Sequence, residues 1–88
     1  MKIKEGFLLR KMDGMGVVAP VGKASERFNG MATLNETGIL LWETMQRETS
    51  RQELIQALLA TYEVSEERAA QDVDAFLHKA REAGLVEE

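Results

Sequence analysis

The stretch Phe28 to Trp42, FNGMATLNETGILLW, constrains the chain most, because the hydrophobic pattern changes character inside it. Upstream the residues read as short strands separated by turns. Downstream the apolar residues recur at three and four, the period of amphipathic helices. The order of elements is three strands followed by three helices, an α+β arrangement. With 88 residues and 44% apolar content, one domain with one core, spanning 1–88, is expected. A chain of this size buries only roughly two-thirds of its unfolded surface, so a large internal active site is not expected.

In the upstream part, Phe7 to Met12 reads as a strand and Asp13-Gly14 as a type I′ turn, a pair suited to positive φ angles. Gly16 to Val21 is the return strand. A two-residue turn puts Phe7, Leu9 and Val18 on one face and Leu8, Met12, Met15 and Val17 on the other. Both faces are partly apolar, so both are expected to be covered. Pro20 cannot donate to a ladder and belongs at a strand end or an edge. Lys23 to Arg27 reads as a loop, and Gly30 to Leu34 as a third strand. Asn29-Gly30 is an alternative hairpin turn.

The first helix has two candidate caps. Thr33 with Glu36 has capping-box spacing, and Asn35 is the rival. Ile39, Leu40, Leu41, Trp42 and Met45 make this helix apolar on most sides, which predicts a central position. Ser50 with Glu53 caps a second helix with a stripe of Leu54, Ile55, Leu58, Leu59 and Tyr62. Ser65 caps a third, with Glu66 and Glu67 favourably placed in its first turn. That helix repeats Ala69, Ala70, Val73, Phe76, Leu77 and Ala80, and Gly84 stops it.

The side chains offer little chemistry. Without cysteine there is no disulfide, no thiolate nucleophile and no thiolate metal site. His78 is the only histidine and lies opposite the apolar stripe beside Asp74, which reads as solvated surface rather than a metal site. Adjacent carboxylates such as Glu66-Glu67 and Glu87-Glu88 do not face one another on a helix. The glycines form no phosphate-binding pattern. No catalytic site, metal or cofactor is implied. No apolar run reaches the ~20 residues of a membrane span, and MKIKEGF lacks the core of a signal peptide. A soluble, unprocessed, cytoplasmic protein with no membrane partner is expected.

Charge bears on nucleic acid. Residues 1–47 hold seven basic and five acidic side chains, and residues 48–88 hold four and ten. The third helix has a net charge of about −2, which disfavours contact with phosphates. The hairpin also precedes the helices, whereas a DNA-contacting wing usually follows them. A winged-helix transcriptional regulator is therefore the alternative reading, and no nucleic-acid partner is expected. What remains is a short third strand whose free edge suits strand addition by an extended peptide. A homodimer formed through the same edge is a further reading.

Leu34-Asn35-Glu36-Thr37-Gly38, with Ala19-Pro20 before it and Ile39 to Trp42 after it, resembles the PqqD family. The Ser-capped second helix with Leu58 and Tyr62, and the third helix closing on Gly84-Leu85-Val86, extend the resemblance from about Gly6 to Val86. It implies a winged helix-turn-helix-like domain, a three-stranded antiparallel sheet followed by three helices. It also implies a peptide chaperone, a recognition element for the leader of a ribosomally made precursor (RiPP) that performs no chemistry. The leader adds to the third strand and lies beside the third helix, and a modifying enzyme, a radical SAM protein for PqqD itself, acts on the rest. The longer loop KASERFNG and the segment MQRETS depart from PqqD proper. The resemblance is therefore to the broad PqqD-like group, with PQQ biosynthesis as only one outcome.

On these residues, Phe28, Asn29, Gly30, Met31, Ala32 and Thr33 are the expected docking edge. Arg68, Asp72, Phe76 and Lys79, on the flank of the third helix beside Phe76, are the expected groove wall. Plain core packing is the competing reading for Phe76.

Overall fold

Asp13 and Gly14 both have positive φ, 46° and 79°, as a type I′ turn requires, and they join two six-residue strands. The computed structural model describes residues 1–26 and 32–88. Its elements are β1 (Lys2–Ile3), β2 (Phe7–Met12), β3 (Met15–Pro20), a 3-10 helix (Gly22–Glu26) and β4 (Ala32–Leu34). They are followed by α1 (Glu36–Thr44), α2 (Arg51–Thr61), α3 (Glu66–Glu82) and β5 (Val86–Glu87). The antiparallel sheet has the order β2-β3-β4, and three helices follow it. This is the α+β, winged-helix-like order expected from the sequence.

Register follows from the turn. Met12 faces Met15, Leu9 faces Val18 and Phe7 faces Pro20, so the sheet has the two faces expected. Only one is covered. Val18 is fully buried, and Phe7 and Leu9 pack against the core. Leu8, Met12 and Met15 are exposed at 54%, 62% and 52%. The expectation that both faces are covered is thus incorrect, because all three helices follow the sheet and the core they form lies on its other side. Pro20 ends its strand, where no further ladder donor is needed.

Gly16 lets the helical layer approach. A Cβ there would lie 2.7 Å from Leu9 Cδ1 and 2.9 Å from Ile39 Cγ1, so the bare backbone admits α1 against the sheet. α1 touches β3, β4, α2 and α3, the central position its apolar surface predicts. Leu41, Trp42 and Met45 join Leu54, Ile55 and Leu58 of α2 and Ala69, Val73, Leu77 and Ala80 of α3 in one core.

Asn35 settles the choice of cap. Its Oδ1 accepts from the Gly38 N–H at 2.9 Å and from Thr37 Oγ1 at 3.0 Å, while Thr33 lies in β4. The first helix starts one residue after Asn35, so Thr33 is too far back to reach its free N–H groups. Ser50 and Ser65 cap α2 and α3 as expected, accepting from Glu53 N and Arg68 N, both at 3.1 Å. Gly84, at φ 75°, ends the last helix.

Two features depart from the sequence reading. Of the segment read as a loop over Lys23 to Arg27, residues 23–26 belong to the 3-10 helix, with Ser25 Oγ donating to the Gly22 carbonyl at 2.7 Å, and Arg27 lies outside the described residues. A second, two-stranded sheet pairs β1 with β5, Ile3 opposite Val86. The Ile3 N–H donates to the Met45 carbonyl, which ties this sheet to the end of α1.

Candidate groove beside the edge of β4

β4 is an edge strand. Ala32, Thr33 and Leu34 pair with Val18, Val17 and Gly16, and among the described residues no strand pairs with its other side. An unpaired edge presents backbone N–H and C=O groups to solvent in strand geometry. Alternation along the strand sends Ala32 and Leu34 toward the core, against which both pack, and leaves Thr33 exposed.

A groove of about 540 Å³ lies along this edge. Gly14 and Met15 of the hairpin and Thr33 and Leu34 of β4 contribute to one side. Asn35, Thr37, Gly38 and Leu41 contribute from the start of α1, and Asp72, Ala75, Phe76 and Lys79 from the middle of α3. α1 touches both β4 and α3. Asn35 and Thr37 satisfy each other at the groove rim, while Leu41, almost fully buried, closes the floor.

Four of the residues singled out in the sequence therefore meet in one place: Thr33, Asp72, Phe76 and Lys79. The flank of α3 beside Phe76 is the one that faces the groove. Phe76 is half-buried, packs on the core and also lines the groove. Ala32 faces the core rather than the groove. Arg68 does not line the groove either, but its Nε donates to Asp72 Oδ1 at 3.2 Å and so fixes the carboxylate that does. Phe28, Asn29, Gly30 and Met31, with the alternative Asn29-Gly30 turn, lie outside the described residues.

Gly14, Met15, Leu34, Asn35, Thr37, Gly38 and Leu41 were not among the groove residues expected, whereas Ala75 lies on the expected flank of α3 without having been singled out. The spacing of Ala75, between Asp72 and Lys79 on one helical flank, contained that information. Leu41 read only as core, and nothing in its helical period distinguishes a groove floor from a core position. Chemically the groove is an apolar trough with one carboxylate and one ammonium on its helical wall. Among the described residues no three potential metal-ligating side chains converge.

The family model described as Coenzyme PQQ synthesis protein D (PqqD) matches residues 17–86. The chain belongs to the PqqD family. Two solved structures share the fold of this PqqD-family chain. TbiB1 in complex with the TbiA(beta) leader peptide is 21% identical with a TM-score of 0.77, over 99% of this chain and 95% of that one. Lasso peptide synthetase B1 complexed with the leader peptide is 20% identical with a TM-score of 0.73, over 99% and 96%. No curated protein matches the sequence significantly. No helix among the described residues of this family member is long and apolar enough to cross a membrane.

Proposed function

We propose that residues 1–88 act as one peptide-binding domain. It holds the leader segment of a ribosomally made precursor peptide and presents the remainder to a separate modifying enzyme. The observation that carries this reading is the outer edge of β4, unpaired among the described residues, lying beside the α3 groove. An extended leader adds as a fourth strand, and its backbone supplies affinity that barely depends on its side chains. Alternate side chains then enter the trough over Leu41 and Phe76. Membership of the PqqD family supports this, as does the same fold in two proteins solved with leader peptides.

On this reading the chain performs no chemistry and works in the cytoplasm beside its enzyme. A radical SAM protein is the partner the family suggests. Lasso peptide synthetase among the structural neighbours widens the class to other peptide-modifying enzymes, so PQQ itself is not assigned as the product. A short added strand with a few seated side chains fits micromolar binding, about −8 kcal/mol. No observation favours the regulator reading, since α3 carries five acidic residues against three basic ones.

Blocking the trough tests the proposal. Ala75 is exposed and lines the groove, so Ala75→Trp fills the space without entering the core. Calorimetric titration with the leader peptide should show affinity reduced by at least about tenfold, roughly 1.4 kcal/mol, with the melting curve nearly unchanged. Unchanged affinity would move the binding site away from this groove.

A further inference from the structure

α3 carries three basic side chains, and two of them are engaged. Arg68 is held on Asp72, and Arg81 Nε donates to Glu88 Oε1 at 2.7 Å. The Lys79 ammonium has no hydrogen-bond or ion-pair partner among the described residues. It is also the one basic side chain among the described residues that lines the groove. One turn away along the helix stand Ala75, Phe76, Glu82 and Ala83. The only carboxylate among them, that of Glu82, lies 3.1 Å from His78 Nε2. The groove's own carboxylate, Asp72, is two turns back and compensated by Arg68. The trough therefore has, on its α3 wall, one positive charge without a direct partner beside an apolar floor, and the Glu36 carboxylate stands at Gly14 on the hairpin side.

Spacing turns this charge into a selection rule. The helix rises 1.5 Å per residue, so Lys79 stands about 4.5 Å along the axis from Phe76 and about 6 Å from Ala75. In an extended chain, residues two apart face the same way and are about 6.7 Å apart. We infer that the groove, for a leader running along α3, selects peptides carrying an acidic residue two positions from an apolar anchor, the acid pairing with Lys79 and the anchor seated at Ala75, against Phe76 and Leu41. The residue between them faces away from the trough. Asp72 does not oppose the acid, because Arg68 neutralises it, and for the same reason it does not attract a basic residue strongly. This inference rests on the groove being the peptide site.

The test compares the full chain with Lys79→Glu, an exposed change on the helix surface whose folding is checked by a thermal melt. Short synthetic peptides of random sequence are selected on each, and Ala75→Trp reports which of them occupy the groove. Peptides selected on the unmodified chain should carry Asp or Glu two positions from a large apolar residue. Peptides selected on the variant should carry Lys or Arg at that position with the same anchor. Crossing peptides and chains should weaken binding by about fivefold, an effect that shrinks as salt is raised. Groove-bound peptides with the same charge pattern on both chains would overturn the inference and leave the peptide-binding reading standing. Binding that Ala75→Trp does not affect, or no binding at all, would overturn both.

Discussion

Asn35 shows how one side chain connects fold and site. Its carboxamide ends β4, starts α1 and forms part of the groove rim, all through one oxygen accepting from Gly38 N–H and Thr37 Oγ1. Replacing it by alanine should lower stability by about 1 kcal/mol in urea denaturation, whereas Thr33→Ala should cost under about 0.5 kcal/mol. Equal costs would mean that Thr33 shares the capping role. The sequence held both candidates, and capping-box spacing did not choose between them. What decides is that Thr33 stays extended to pair with Val17. Phe76 shows the same limit: a half-buried aromatic on an apolar stripe reads as core, and its second role appears only when β4 is placed across from it.

Among the elements, the three helices were legible because each has a capping residue, a stripe at helical period and, for α3, a glycine stop. The hairpin was legible from Asp13-Gly14 and alternation. β1 and β5 were not, since two-residue strands have no period and are held by partners distant in sequence. The exposed outer face of the sheet was also illegible, because alternation gives two faces and does not say which one the helices cover. Between α2 and α3, Arg51 donates twice to Asp74, at 2.8 and 3.0 Å. These hydrogen bonds, with the charge of the guanidinium, hold the Asp74 carboxyl below its usual range. A depressed folded value means that the contribution is present above the unfolded pKa, about 3.9, and is lost as pH falls through the folded one. Carboxyl NMR titration should place the Asp74 midpoint lower in the native chain than in Arg51→Gln. Equal midpoints would show that the ion pair does not form in solution. The pair is solvent-exposed, so its loss should change stability little.

At the scale of the whole molecule, function depends on what the topology leaves unpaired. Among the described residues the two outer strands of the larger sheet, β2 and β4, each have an unpaired edge, and β4 brings its edge beside the groove walled by the middle of α3. The family was readable from LNETG and its surroundings, whereas the groove required three segments far apart in sequence to meet. The helical part of the chain is acidic overall, and Lys79 is the local exception to that sign. The central claim is strand addition, and backbone amide NMR during titration with the leader peptide tests it most directly. Strand addition should give shifts concentrated in Ala32 to Leu34 and in the Asp72 to Lys79 segment of α3, with slowed hydrogen exchange along β4. Saturable binding whose shifts spare both segments would contradict it.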